Sequence, residues 1–180
     1  VANYHAIQHP GLVDPKFNSA VLIPLYEYED ECFLILTRRA ANMRSHRHQV
    51  SFPGGRIDVD DVDHWDAALR EANEEIALDR SLATRVGSLD RFTTVGSDSL
   101  IHPEVGVLSG RPQLVASPAE VEHILHVPLA QLLDPSVYRE EIWPVGGDER
   151  EIYFFELPGD TVWGATASML RQFLRLITET

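Results

Sequence analysis

The sequence predicts an α/β fold in which helices cover both faces of one mixed β-sheet, an α/β/α sandwich. Segments rich in β-forming residues are interspersed with two main stretches of helical periodicity, a pattern typical of this fold class. The chain has 180 residues, of which 44% are hydrophobic and 24% charged, so it suits one domain with a sizeable core. We therefore expect residues 1–180 to form a single domain, with residues 1–18 as an irregular N-terminal arm.

Five segments are predicted to be strands because they combine apolar and β-forming residues between turn signals. They are residues 19–28, 32–37, 86–95, 102–108 and 151–157. The acidic run Glu29-Asp30-Glu31 is expected to form the turn between the first two strands, and the polar, basic residues 38–51 predict a loop. That loop ends at Phe52-Pro53-Gly54-Gly55, where proline removes a backbone donor and glycine permits positive φ, so a sharp turn is expected.

Two main helices are predicted from apolar residues at helical spacing. The first, over residues 66–78, carries the stripe Trp65, Ala68, Leu69, Ala72 and Ile76. The second, at the C-terminus, carries the stripe Trp163, Ala167, Leu170, Leu174 and Ile177, with Trp163 expected as a packing anchor. A further helix start is predicted at Ser117, because Glu120 three residues later would complete a capping box.

The charge balance argues against two classes of partner. The formal net charge is −13 and the sequence pI is about 4.9. Such a protein repels the phosphates of nucleic acid and the anionic surface of a membrane, so neither is expected as a partner. The chain contains no apolar run near the roughly 18 residues that span a bilayer. A single cysteine, Cys32, is expected in the core and fits a reducing, cytoplasmic setting.

Three glutamates form the most informative cluster. At about 100° per residue, Glu71, Glu74 and Glu75 lie within one polar arc opposite the first apolar stripe, facing solvent. Converging carboxylates are costly unless a cation lies among them, and Mg²⁺ prefers oxygen ligands and bridges to substrate phosphates. Arg70 can pair with Glu74 at the i, i+4 spacing. The alternative is that this arc is simply a solvated helix face.

Residues 55–78 resemble the signature of the Nudix hydrolase family, in which a glycine precedes Arg-Glu-x-x-Glu-Glu and a short hydrophobic pattern. The matching residues are Gly55, Arg70, Glu71, Glu74, Glu75, Ile76 and Leu78. Ala77 stands where glycine is usual, and we expect alanine there to cost little. The interval from Gly55 to Arg70 is one residue longer than in the general signature, as it is in the coenzyme A pyrophosphatase branch.

The upstream residues are also similar to that branch. The matching positions are Leu36-Thr37-Arg38-Arg39, Arg44 and Phe52-Pro53-Gly54-Gly55, with Ala40 in place of serine and His48 in place of glycine. Further similarity lies in Ser117-Pro118-x-Glu120-Val121 and in Val162-Trp163-Gly164-Ala165-Thr166-Ala167.

The resemblance implies roles for individual residues. Glu71 and Glu75 would be the principal ligands of Mg²⁺, or of Mn²⁺ in its place, with Glu74 as a further ligand. Glu120 would be a ligand or the general base, unless it is only a capping residue. The substrate would be held by residues around the metal, namely Arg39, Arg44, Phe52, Gly54, Gly55 and Arg70. For Arg39 and Arg44 the alternative is an ordinary basic loop.

Three functions are consistent with these patterns. The first is hydrolysis of the pyrophosphate bond of coenzyme A or acyl-coenzyme A to adenosine 3′,5′-bisphosphate and 4′-phosphopantetheine. The second is the same reaction on ADP-ribose, NADH or another nucleoside diphosphate derivative, favoured by His48 and Ala40. The third is a ligand-binding module without turnover, which the retained glutamates disfavour.

Homodimers are common in the family. A zinc site is not expected. Four histidines are instead predicted to lie at the protein surface, namely His46, His48, His123 and His126.

Overall fold

The computed structural model describes residues 17–41, 49–94 and 99–179. They form the expected α/β architecture, with helices packed against both faces of a mixed sheet. Residues 17 and 18 already belong to the first strand, so the predicted arm can extend only over residues 1–16, which lie outside the described part.

Eleven strands and three α-helices make up the described residues. The strands are β1 (Phe17–Tyr28), β2 (Glu31–Arg39), β3 (Val50–Ser51), β4 (Gly54–Arg56), β5 (Ala83–Ser88), β6 (Phe92–Thr93), β7 (Ser99–Leu108), β8 (Val121–Pro128), β9 (Tyr138–Val145), β10 (Asp148–Leu157) and β11 (Asp160–Trp163). The helices are α1 (His64–Ile76), α2 (Leu129–Leu132) and α3 (Gly164–Thr178). Short 3-10 turns occupy Arg80–Leu82 and Pro135–Val137.

The larger sheet has eight strands and is mixed. Its central order is β3-β2-β1-β7-β5, with β4 beside β1, β6 beside β7 and β8 beside β2. Strands β1 and β7 run parallel, and the other pairs are antiparallel. The turn from β1 to β2 is confirmed: Glu29 and Asp30 adopt φ of 52° and 60°, the left-handed pair that suits the twist of a two-residue hairpin.

The two sides of β1 serve two cores, because side chains alternate along a strand. Ala20 and Leu22 are fully buried in the cluster that contains α1, whereas Ile23 is fully buried in the cluster that contains α3. The predicted stripe of α1 is buried at Ala68, Leu69, Ala72 and Ile76, and that of α3 at Ala167, Leu170 and Leu174. The prediction is wrong for Ile177, which is 42% exposed near the end of α3. Trp163 instead caps α3, is 40% exposed, and stacks on Phe154 with ring centroids 6.5 Å apart.

A second sheet was not anticipated. Strands β9, β10 and β11 form a separate antiparallel sheet, and only β10 overlaps a predicted strand. Strand β9 carries exposed apolar side chains, Ile142 at 67% and Trp143 at 39%, among charged residues, so its composition lacks the apolar run that signals a strand. The predicted strand over residues 86–95 is in fact split between β5 and β6.

The predicted helix start at Ser117 is wrong. Its carbonyl accepts from the Glu120 and Val121 amides at 3.0 and 2.8 Å, which closes a turn that leads into β8. The alternating residues of β8 pair with β2, so sheet pairing prevails over the local capping signal. Cys32, at the start of β2, is half-buried rather than in the core. None of the helices within the described residues is long and apolar enough to cross a membrane.

Candidate functional site

Arg70 of helix α1 forms a bidentate ion pair, here called the Arg70 clamp, with Asp61 in the loop before the helix. The N-terminus of α1 is capped by the Asp63 carboxylate, which accepts from the Asp66 amide at 2.8 Å. Seven residues after Asp63, Arg70 donates through Nε and Nη2 to the two oxygens of Asp61 at 2.9 and 3.0 Å. This bidentate pair holds the pKa of Asp61 below its ordinary value, chiefly through the hydrogen bond from Arg70.

The clamp extends to the glutamates of α1. Arg70 Nη1 donates to Glu71 Oε1 at 2.9 Å and reaches both oxygens of Glu74 only at 3.4 Å. The predicted pair of Arg70 with Glu74 therefore exists, but it is the weaker contact. Asp61, which the sequence analysis missed, is the main partner. An acid-rich run at Asp58–Asp61 was the only sequence signal that could have found it.

The carboxylates of α1 meet the backbone at the double glycine. Gly54 and Gly55 begin β4, and Gly54 has φ of 154°, in the region that favours glycine. The Gly54 amide donates to Glu75 Oε2 at 3.1 Å. A Cβ on Gly55 would lie 2.4 Å from Glu71 Oε2, so the absence of a side chain makes room for that carboxylate. The structure thus brings the Glu71 and Glu75 carboxylates to adjacent points of one short strand.

Glu75 is buried, which corrects the expectation that it faces solvent. It is 4% exposed and lies on the packed side of α1. Burial raises its pKa to about 7, against the opposing effects of the Gly54 amide and Arg39, while the nearby charges of Glu71 and Glu120 raise it further. A helical wheel cannot reveal this burial, because the covering residues come from distant strands and loops.

Glu71 and Glu74 lie in different environments. Glu71 is partly buried, and burial raises its pKa in spite of the hydrogen bond from Arg70. The Glu74 side chain is 55% exposed. The three predicted acids therefore range from buried to open along one helical turn.

Glu120 joins this group through backbone contacts rather than helix capping. The Ser117 amide donates to the Glu75 carbonyl at 2.8 Å, which ties the segment before β8 to the end of α1. The Glu120 carbonyl accepts from the Ala40 amide at 2.9 Å, which ties it to the end of β2. These bonds place Glu120 near enough to Glu71 and Glu75 for its charge to raise the pKa of both.

Arg39 reaches the site at an irregularity in the sheet. The register between β2 and β8 shifts between Arg38 and Arg39, and such bulges redirect side chains. Arg38 pairs through Nη1 with Asp160 at 3.4 Å, and the buried Nε atoms of both Arg38 and Arg39 find no hydrogen-bond acceptor among the described residues. Arg44 lies outside the described residues. Phe52 is 2% exposed and packs in the α3 core while also lining a cavity.

The end of α1 contradicts the expectation that Ala77 costs little. Ala77 has φ of 53°, the left-handed conformation of a helix C-cap that glycine adopts without steric penalty. Its amide donates to Asn73 O at 2.9 Å, and the Asn73 side chain donates to Leu78 O at 2.9 Å. Alanine in this conformation costs about 1 kcal/mol.

A cavity of about 360 Å³ lies on the other side of the double glycine from Glu71. It opens between β1 and the start of α3, where Val21, Ile101 and Met169 form its apolar walls. Arg39 and Arg56 contribute its charged groups. This volume is at the small end of the roughly 300–1,000 Å³ of ligand pockets.

The donor set determines which metal could be held. Within residues 17–41, 49–94 and 99–179, no three His, Cys, Asp or Glu side chains are already arranged around a common metal position. The acids at the double glycine nevertheless offer only oxygen donors, which is the chemistry that Mg²⁺ prefers. His123 is exposed as predicted, whereas His126 is half-buried, its Nδ1 2.7 Å from the Tyr26 hydroxyl. His46 and His48 lie outside the described residues.

Comparisons with known proteins agree on one family. The sequence model of the NUDIX domain matches residues 16–156. An uncharacterized Nudix hydrolase, NudL, of Photorhabdus laumondii is 35% identical over 166 residues, which cover 92% of this chain and 88% of that protein. Nudix hydrolase 15, mitochondrial, of Arabidopsis thaliana is 36% identical over 89% of this chain, which spans 58% of that longer protein. The fold resembles the crystal structure of a MutT/nudix family protein from Enterococcus faecalis, with a TM-score of 0.63 and 16% identity over 97% of this chain and 66% of that one.

Proposed function

The chain belongs to the NUDIX family of hydrolases, and on that premise we propose that it hydrolyses the pyrophosphate bond of coenzyme A or acyl-coenzyme A. The products are adenosine 3′,5′-bisphosphate and the corresponding 4′-phosphopantetheine. The observation that carries the proposal is the meeting of the Glu71 and Glu75 carboxylates at the double glycine, beside Arg39.

The proposed metal ligands are the carboxylates of Glu71 and Glu75, with Glu74 as a further ligand. A buried carboxylate such as Glu75 is costly when it is ionised without a cation, so bound Mg²⁺ would relieve a penalty that already exists in the fold. When bound, Mg²⁺ supplies an activated water and neutralises charge on the phosphoryl oxygens. Mn²⁺ takes the same oxygen ligands and is expected to substitute.

The remaining residues orient the reacting groups. Arg70 holds Glu71 from one side while Asp61 fixes the guanidinium, so this carboxylate has a defined position before any metal binds. Among the described residues Arg39 Nε has no acceptor, so it can donate to a phosphate group of the substrate. Glu120 is partly buried and lies close to both metal-ligand candidates, which supports a role in accepting the proton of the attacking water.

Two sequence features favour coenzyme A among nucleoside diphosphate derivatives. The first is the longer interval from Gly55 to Arg70. In the fold, this interval includes the connection that carries Asp61, whose carboxylate pairs with Arg70 at 2.9 Å. The second is the Leu36-to-Gly55 pattern, which places Arg39 at the bulge of β2.

The deciding experiment is a substrate panel. Purified protein with Mg²⁺ is incubated with coenzyme A, acetyl-coenzyme A, ADP-ribose and NADH, and the products are separated by anion exchange. We expect coenzyme A to have the highest kcat/KM and to give the two stated products. A higher kcat/KM for ADP-ribose or NADH would show that coenzyme A is not the preferred substrate. If no compound of the panel is hydrolysed with any divalent ion, the chain is a ligand-binding module without turnover.

A further inference from the structure

The cavity beside the double glycine is lined by two arginines in a strongly acidic protein. Its described lining contains Arg39 and Arg56 and no aspartate or glutamate, although the whole chain has a formal charge of −13. Hydroxyl side chains complete the polar part of the wall, among them Ser51 and Thr166. Such a lining attracts an anion, because low-dielectric walls strengthen the field of a few fixed charges.

Thr166 contributes an unused hydrogen-bond donor to this cavity. The residue is 8% exposed and lines the cavity, yet its hydroxyl has no partner among the described residues. The hydroxyl of such a largely buried residue is available to a ligand in the cavity. Thr166 belongs to the segment Val162–Ala167, which the acidic site does not use.

The helix that carries Thr166 adds backbone donors. Helix α3 has 15 residues, no acidic residue in its first turn, and an N-cap, Trp163, that makes no side-chain capping bond. Ala165 and Thr166 of that first turn line the cavity. Backbone amides of a first helical turn and the positive end of the helix dipole together favour a phosphate.

Arg39 supplies a donor from a separate element. It extends from the end of β2, lines the same cavity, and keeps a buried Nε without an acceptor in the described residues. A guanidinium edge with a free Nε suits a phosphate oxygen. Two unused donors on different elements therefore face one small space.

We propose that this cavity is a subsite for a phosphate monoester of the substrate, held by the Thr166 hydroxyl, the first turn of α3 and Arg39. The inference rests on the proposed function, which supplies a substrate with a phosphate besides the diphosphate. The cavity and the Glu71 carboxylate lie on opposite sides of Gly55, so the phosphate held here is a different group from the diphosphate that is cleaved. In coenzyme A the group of that chemistry is the 3′-phosphate of the ribose.

The test uses two nucleotides that differ only in this phosphate. Adenosine 3′,5′-bisphosphate and adenosine 5′-monophosphate are titrated into the protein in EDTA by calorimetry, so that no divalent ion contributes. The wild type is expected to bind the bisphosphate at least about tenfold more tightly, as for a charged group that gains hydrogen bonds. In Thr166→Val, which keeps the shape and removes the hydroxyl, the preference should fall to about threefold or less.

Two control variants distinguish loss of the Thr166 hydroxyl contact from a general disturbance of the fold. Thr166→Ser restores the hydroxyl and should recover the preference. Thr178→Val makes the same change at the exposed far end of α3, where the hydroxyl donates to Leu174 O at 2.9 Å, and should leave it intact. An equal affinity of the wild type for both nucleotides, or a full preference in Thr166→Val, would overturn the subsite.

A kinetic measurement distinguishes this inference from the proposed function. With Mg²⁺, the kcat/KM ratio of coenzyme A to dephospho-coenzyme A should fall about tenfold in Thr166→Val. If neither compound is hydrolysed and the bisphosphate preference still depends on Thr166, the subsite stands and coenzyme A hydrolysis fails. If coenzyme A is hydrolysed with the same ratio in Thr166→Val, the subsite is wrong and the hydrolysis stands.

Discussion

Replacing Glu75 by glutamine should stabilise the protein in the absence of divalent ions. The carboxylate is 4% exposed and accepts one hydrogen bond, from the Gly54 amide at 3.1 Å. Burial raises its pKa from 4.5 to about 7, so at pH 8 the folded protein contains a buried charge that the unfolded chain exposes to water. Glutamine has nearly the same shape and keeps an oxygen for the Gly54 amide, but it carries no charge.

The magnitude follows from the two pKa values. Below pH 4.5 the carboxyl is neutral in both states and costs nothing. Between pH 4.5 and 7 the unfolded chain releases this proton while the folded state keeps it, so stability falls by about 3 kcal/mol and then levels off above pH 7. The amide of glutamine leaves buried donors, which offsets about 1 kcal/mol of the gain. We therefore expect Glu75→Gln to raise the free energy of unfolding at pH 8 by about 2 kcal/mol, and Tm by about 4–8 °C.

The assay is thermal unfolding at pH 5 and pH 8, first in EDTA and then in Mg²⁺. In EDTA the gain of Glu75→Gln over the wild type should be present at pH 8 and disappear at pH 5. Mg²⁺ at 100 times its dissociation constant should stabilise the wild type by roughly 2.7 kcal/mol and the variant far less. Glu74→Gln is the matched control, since its side chain is 55% exposed and it should hardly change Tm in EDTA. A Glu75→Gln protein less stable than the wild type at pH 8, or equally stabilised by Mg²⁺, refutes the reasoning.

Three further predictions test other parts of the structure. Gly55→Ala places a Cβ 2.4 Å from Glu71 Oε2 and should lower kcat/KM by about 100-fold, while circular dichroism shows an intact fold. Ala77→Gly relieves the left-handed C-cap and should add about 1 kcal/mol in urea unfolding, whereas Ala67→Gly inside α1 should subtract about as much. Burial and the neighbouring His64 lower the pKa of His102 from 6.5 to about 4, so stability should fall as the pH drops from 6.5 to 4. His102→Asn should remove about 1 kcal/mol of that acid sensitivity in pH-dependent urea unfolding, and an unchanged profile would contradict it.

The parts of the fold with strong local periodicity could be predicted from sequence. The stripes of α1 and α3 carry enough apolar residues to define their buried sides, and the first hairpin has a turn whose acidic residues accept positive φ. Helical spacing places Glu71 and Glu75, four residues apart, on the same side of α1, and both carboxylates meet the double glycine in the structure. Each of these signals lies within one helix or one turn of the chain.

Features that depend on distant residues could not be predicted in this way. The burial of Glu75 depends on Gly54, 21 residues earlier, and on the segment from Ser117, which pairs with the Glu75 carbonyl. The same segment carries a good capping signal that the sheet overrides. Asp61 becomes recognisable as a partner only when the loop before α1 folds back on Arg70.

The double glycine explains why opposite charges can be held so close together in this protein. On one side of Gly55 lies the carboxylate of Glu71, and on the other lies the cavity that contains Arg39. A side chain at position 55 would displace the carboxylate, and one at position 54 would strike the backbone of β1 at 2.4 Å from Ala20 O. Only bare backbone can separate the two surfaces by the thickness of one strand. A substrate that bridges them, with its diphosphate at the acids and a further phosphate in the cavity, would use both the metal and the arginine, because neither alone neutralises both groups.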